Sequence, residues 1–141
     1  MEKLSVVKIG GNVLDNAEKL AVFIRQFAAV KGAKILVHGG GKIATELSEK
    51  LGIATQLIDG RRVTTADSLE IVTMVYAGLI NKNLVAQLQG LQTNAIGLSG
   101  ADANLIQAKK RVHPSINFGF VGDLGETSVS AQVLKSFLDA G

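Results

Sequence analysis

Leu4-Ser-Val-Val-Lys-Ile-Gly-Gly11 and Ala33-Lys-Ile-Leu-Val-His-Gly-Gly-Gly41 are built alike. Each is a short β-rich run that breaks into glycine, the pattern of a strand opening into a tight turn. Between them Leu20, Phe23, Ile24, Phe27 and Val30 recur at three- and four-residue spacing, which predicts a helix with one apolar face. Asp15 or Asn16 is placed to cap it and Gly32 to end it. After the second run, Ile43, Leu47 and Leu51 predict another helix. Two strand-glycine-helix units in succession imply a parallel strand pair. The right-handed crossover then puts both glycine turns at one edge of the sheet, beyond the carboxyl ends of the strands.

Downstream, Gln56-Leu-Ile-Asp-Gly-Arg-Arg-Val63 predicts a hairpin turning at Asp59-Gly60. Thr64 with Asp67 reads as a capping box opening a long helix that runs, with a kink, to Gly90. Leu69, Val72, Val75, Leu79 and Ile80 are expected on its buried side. Ala95-Ile-Gly-Leu98 predicts a third strand, leading into the polar turn Ser99-Gly100-Ala101-Asp102. Residues 104–112 and 115–121 predict a hairpin around His113-Pro114, and Val129, Val133, Leu134, Phe137 and Leu138 a last helix stopping at Asp139-Ala140-Gly141. An alternating α/β pattern is expected to continue with another strand, so the chain reads as a piece of something longer.

The composition narrows the function. Its 141 residues are 47% apolar and 19% charged with a net charge of +3, which excludes intrinsic disorder. No apolar run approaches the roughly 18 residues of a membrane span, and Met1-Glu2-Lys3 leads straight into a strand, so a cytoplasmic protein without membrane partners is expected. Without cysteine there is no disulfide, no thiolate metal site and no thiol nucleophile. The basic residues are scattered, with Lys109-Lys110-Arg111 the densest cluster, and aromatics are only 4%, too few to stack bases, so nucleic acid is not an expected partner.

What remains is small-anion chemistry. Bare amides at a strand-to-helix turn form a positive cradle for a phosphate or carboxylate, and Lys8 adds a point charge beside the first turn. One such turn reads as mere turn geometry; two on one sheet edge favour a pocket. Phosphoryl transfer needs chiefly positioning and charge neutralisation, which lysine and amides supply. A Walker A loop is excluded because Gly41-Lys42 is followed by Ile43 rather than a hydroxyl residue, and the upstream glycine spacing fails. A lipase-type hydrolase is disfavoured because Gly97-Leu98-Ser99-Gly100-Ala101 lacks the last glycine of a nucleophile elbow and His113 follows too closely. Arg61-Arg62 can grip a carboxylate through paired hydrogen bonds. His38 reads as a structural histidine, Asp102 and Asp123 as loop caps, and His38 with His113 is too sparse for a metal site.

Lys8-Ile-Gly-Gly-Asn12, His38-Gly-Gly-Gly41, Gly60-Arg-Arg-Val-Thr64 and Gly97-Leu-Ser-Gly-Ala-Asp102, in this order and spacing, resemble the amino acid kinase family, and within it the branch acting on N-acylglutamates. Asn81-Lys82 fits the same pattern. The resemblance implies a three-layer α-β-α sandwich with a mainly parallel central sheet, here truncated. It implies ATP-dependent phosphorylation, with Mg2+, of the γ-carboxylate of N-acetyl-L-glutamate or a related N-acylglutamate such as N-succinylglutamate, in arginine biosynthesis. On that resemblance Lys8 is catalytic, stabilising charge on the transferred phosphoryl group. Gly10 and Gly11 attend the phosphoryl, Gly40 and Gly41 hold the substrate, and Arg62 binds its α-carboxylate.

Family members run to roughly twice this length on the domain-size prior. Residues 1–141 would then be the acylglutamate-binding and dimerisation half, without the nucleotide-binding carboxyl half, and inactive alone. Ala101 and Ala103, where a larger residue is common, are expected to widen the acyl pocket. The strand begins a few residues after Met1, which implies a homodimer rather than the arginine-regulated hexamer of relatives with an amino-terminal helix. Two alternatives stand beside this reading: a non-catalytic small-molecule-binding or dimerisation module, and a carbamate, uridylate or aspartate kinase, against which the Gly60 to Thr64 motif argues.

Overall fold

A computed structural model describes residues 4–140. Strand β1 (Ser5–Ile9) pairs in parallel with β2 (Lys34–His38), Lys8 opposite Val37 and Ile9 opposite His38. Alternation along the strands turns Val7, Ile9 and Leu36 into the core. The opposite face, where Val6 is 62% and Val37 44% exposed, stays open among the described residues. The crossover between the strands carries the short helix α1 (Gly11–Leu14) and α2 (Ala17–Ala29). Asn16 caps α2, its side chain accepting from the Lys19 amide at 2.9 Å, and Ile24 and Phe27 anchor it in the core.

Helix α3 (Gly41–Lys50) follows β2 directly. Its deepest residues are Ala44 and Ser48, with Ile43 and Leu47 alongside; Leu51 lies at the carboxyl cap and is exposed. Strands β3 (Gln56–Ile58) and β4 (Arg61–Val63) form the expected hairpin, and Asp59 (φ 50°) and Gly60 (φ 74°) make its turn. The left-handed conformation at both central positions matches the twist of the strands.

The long helix consists of α4 (Ala66–Thr73), a π-helical segment (Met74–Ile80) and α5 (Asn81–Gly90). Its cap is Thr65, which accepts from the Ser68 amide, and not Thr64. Thr64 is buried and spends both backbone groups on the loop at 118–120, donating to the Phe118 carbonyl at 2.9 Å and accepting from the Phe120 amide at 2.8 Å. The core residues are Ile71, Val75, Ile80, Leu84 and Leu88. The step from Val75 to Ile80 is five residues because a π-turn carries an extra residue. That extra residue puts Ile80 on the core line and leaves Leu79 out, so Leu79 is exposed where uniform α-helical spacing would bury it; Leu69, expected to be buried, is also exposed, in α4 ahead of the π-turn. By length and composition alone Ala66–Gly90 could cross a membrane; its core line packs instead into the cluster that also holds Ile9 and Phe27.

The expected third strand at residues 95–98 does not form. Its carbonyls are taken by helix side chains: Gln89 donates to Ala95, Lys82 to Gly97 at 2.9 Å and Asn81 to Leu98. Gly97 also lies so close to Asn81 that a Cβ there would meet Oδ1 at 1.9 Å. A 3-10 turn (Asp102–Asn104) leads to the two-residue strands β5 (Lys109–Lys110) and β6 (Gly122–Asp123). Their antiparallel register pairs Lys110 with Gly122, so the connection is the long arm 111–121 and not a turn at His113-Pro114. The arm is pulled away by its attachment to Thr64. Helix α6 (Ala131–Asp139) is capped by Ser130; Gly141, the expected stop, lies outside the described residues.

The chain is therefore α/β, with the parallel pair and both glycine turns as expected and a smaller sheet than expected.

Candidate functional site

Because β1 and β2 are parallel, the turns at Gly10–Gly11 and Gly39–Gly41 leave the same end of the sheet. Gly40 is the N-cap of α3, and the first helical bond runs from the Ala44 amide to its carbonyl at 3.0 Å. The amides of Gly41, Lys42 and Ile43 thus have no intrahelical acceptor and face outward with the positive end of the helix dipole. Gly40 has to be glycine on grounds of space: a Cβ would stand 2.4 Å from Ile80 Cδ1 and 3.0 Å from the Tyr76 ring. The π-helical segment presses those two side chains against the turn.

Arg62 is brought to the same place. Its guanidinium donates to the Gly41 carbonyl at 3.3 Å, to Thr45 Oγ1 at 2.7 Å and to Thr55 Oγ1 at 3.0 Å, all uncharged acceptors. An open cavity of about 400 Å3 lies alongside, lined by Arg61, Arg62, Thr64, Val72, Tyr76, Arg111 and Val121. Arg111 is paired with Asp123, its Nε donating to Oδ1 at 2.8 Å and Nη2 to the same oxygen, and that pair raises the arginine pKa and lowers the carboxyl.

Lys8 is exposed on the open face of the sheet and makes no hydrogen bond or ion pair among the described residues. It shares the sheet end with Gly10 and Gly11, but no contact joins these three to Arg62. His38 is structural, as expected: Nδ1 lies 3.0 Å from the Gly39 carbonyl and Nε2 3.4 Å from Asn81 Nδ2. Asn81 Nδ2 reaches both His38 and the Leu98 carbonyl, tying the two loops together, while its Oδ1 is buried without a partner. Asp102 closes its own turn, accepting from the Ser99 amide at 2.6 Å and hydroxyl at 2.7 Å, which holds its carboxyl below the ordinary value. Ala101 and Ala103 are exposed in that turn and do not line the cavity, so they do not widen it. Sequence reasoning missed Tyr76, Thr45 and Thr55, and treated Arg111 only as part of a basic cluster. Thr45, one helical turn beyond Gly41, carried a detectable signal; the others are joined only by tertiary folding.

The profile of the amino acid kinase family matches residues 3–141. The chain belongs to the amino acid kinase family. Among curated relatives, acetylglutamate kinase of Cytophaga hutchinsonii is 58% identical over 142 residues, covering 100% of this chain and 53% of its own length. Acetylglutamate kinase of Parabacteroides distasonis is 49% identical over 141 residues, covering 100% of this chain and 54% of its own. The crystal structure of smu.665 from Streptococcus mutans UA159 superposes with a TM-score of 0.80 at 25% identity, over 99% of this chain and 56% of that one. The chain thus spans about half the length of the curated relatives it matches.

Proposed function

We propose that this chain is the acyl-amino-acid half of a cytoplasmic kinase that transfers the γ-phosphoryl group of ATP to the side-chain carboxylate of an N-acylglutamate, an early step of arginine biosynthesis. The observation that carries the reading is Arg62, held by neutral acceptors beside the free amides of α3. A guanidinium so fixed keeps its full charge for an incoming α-carboxylate. Gly40 and Gly41 supply amides to the same substrate, and Gly10 and Gly11 supply them to the phosphoryl group. Lys8, without a partner among the described residues, is the cation available to neutralise charge as it builds on that group.

The nucleotide site is assigned to the half of the relatives' length that this chain does not span. Among the described residues no group of three or more His, Asp or Glu side chains gathers as a metal-ligand set, so these residues offer Mg2+ no ready-made site; the ion is expected to arrive on the ATP phosphates. A homodimer through this half is supported by Leu69, Met74 and Leu79, apolar side chains that the long helix exposes. Sedimentation of a complete protein should give a dimer; a hexamer would contradict this.

The reading is tested at Lys8. In a complete protein, Lys8→Ala should reduce kcat far more than substrate affinity, because the charge it meets exists only in the transition state. Equal loss of binding and turnover would favour the non-catalytic binding module. Alone, this chain should form no acyl phosphate in an ATP-dependent hydroxamate assay.

A further inference from the structure

The turn after β2 holds a main-chain donor that nothing takes up. Gly40 is buried, and its N–H meets no acceptor among the described residues. Orphaned amides on buried residues are rare, because the hydrogen bond lost to water goes unreplaced. The direction of this one is set one residue earlier, where the Gly39 carbonyl lies 3.0 Å from His38 Nδ1. The peptide between Gly39 and Gly40 is trans, so its C=O and N–H point opposite ways. Fixing the Gly39 carbonyl on the His38 ring therefore fixes the Gly40 N–H away from that ring.

Whether the ring can hold that carbonyl depends on which nitrogen carries the proton, and Asn81 decides it. Asn81 is buried, with Nδ2 3.4 Å from His38 Nε2 and 3.4 Å from the Leu98 carbonyl. A carbonyl only accepts, so the amide presents its nitrogen to Leu98, and the same NH2 group meets Nε2 as a donor. Nε2 is then the bare, accepting nitrogen, and the proton sits on Nδ1, which donates it to Gly39. Reversing the amide would set its oxygen against the Leu98 carbonyl. The orientation leaves Oδ1 buried without a partner, lying so close to Gly97 that only glycine fits there. An amide that leaves its own oxygen unsatisfied in order to donate to a histidine calls for more than packing to explain it.

We propose that Asn81 and His38 are positioning residues for substrate binding: Asn81 sets the His38 tautomer, and His38, through the Gly39 carbonyl, aims the Gly40 N–H at an oxygen of the bound N-acylglutamate. The inference rests on the acylglutamate reading above and adds two residues that act through the turn rather than on the ligand.

The first test needs no ligand. Nitrogen-15 NMR of this chain should show the neutral His38 ring protonated at Nδ1 and bare at Nε2, and a ring protonated at Nε2 would overturn the proposal. Asn81→Asp, which puts an acceptor opposite Nε2, should bring a proton onto that nitrogen; an unmoved Nε2 signal would show that Asn81 does not set the tautomer and would overturn the proposal too. The second test is calorimetric titration with N-acetyl-L-glutamate. His38→Leu, which loses the donor to Gly39, should weaken binding about tenfold, the value of one hydrogen bond. His38→Asn, whose amide nitrogen takes the place of Nδ1, should bind within about threefold of the unaltered chain. Equal losses in the two variants, or no loss in either, would overturn the proposal and leave the acylglutamate reading standing. Failure of the unaltered chain to bind would overturn that reading, and this proposal with it. The tautomer in the unaltered chain decides the matter even if a variant does not fold.

Discussion

The guanidinium of Arg62 donates to the hydroxyl of Thr45 at 2.7 Å, joining a hairpin strand to the first turns of the helix that follows β2. The arginine is thus positioned before any ligand arrives, and little side-chain entropy remains to be lost on binding. Arg62→Ala should weaken N-acetyl-L-glutamate binding about tenfold to a hundredfold by calorimetry, the range for losing a hydrogen bond to a charged group. Thr45→Val should cost only a few-fold, since Thr55 and the Gly41 carbonyl still hold the guanidinium. Equal affinities across the three proteins would remove Arg62 from the site.

The π-turn makes a prediction about neighbours in sequence. Ile80→Ala should destabilise the fold by about 2–4 kcal/mol in denaturant unfolding, because Ile80 is in the core. Leu79→Ala, at an exposed position, should cost less than about 1 kcal/mol. The reverse order would mean that the helix keeps uniform spacing in solution.

Two adjacent glycines should behave differently. Gly40→Ala must displace Ile80 and the Tyr76 ring and should cost about 1–3 kcal/mol of stability, besides disturbing the α3 amides. Gly39→Ala meets nothing within 4 Å and should be close to neutral. Similar melting temperatures for the two variants would contradict the close approach of the long helix to this turn.

Acid should loosen the two loop systems held by exposed carboxylates. Hydrogen bonds from the Ser99 amide and hydroxyl lower the pKa of Asp102, and the Arg111 side chain lowers that of Asp123, each below the ordinary 3.8. A depressed folded-state value means that the stabilisation is present above pH 3.8 and is lost as the pH falls through the lower folded values. Carboxyl NMR titrations of both residues should therefore give midpoints below 3.8, with the Ser99 amide resonance moving together with Asp102. Midpoints at or above that value would show that these bonds do not persist in solution.

Local signals made much of this legible from sequence. The glycine breaks after two aliphatic runs gave the parallel pair and its edge, and Asp59-Gly60 gave the hairpin, because turn chemistry is encoded within a few residues. The misses lie where distant segments decide. Residues 95–98 have strand composition, but Gln89, Lys82 and Asn81 occupy their carbonyls. Thr64 looks like a cap until the arm at 118–120 claims its backbone. The π-turn shifts the buried line by one residue, which no fixed periodicity anticipates. In the site, Gly41 and Arg62 were readable as motifs, whereas the cavity that joins Arg61, Tyr76 and Arg111 exists only once the arm and the long helix pack against the hairpin.

The central claim is that the turn after β2 and Arg62 together form a carboxylate-holding pocket. Its most direct test is a nitrogen-15 NMR titration of this chain with N-acetyl-L-glutamate. Saturable shifts of the Gly40 and Gly41 amides and of the Arg62 side chain, following one binding curve, are predicted. A saturable response confined to other residues, with these three unmoved, would contradict it.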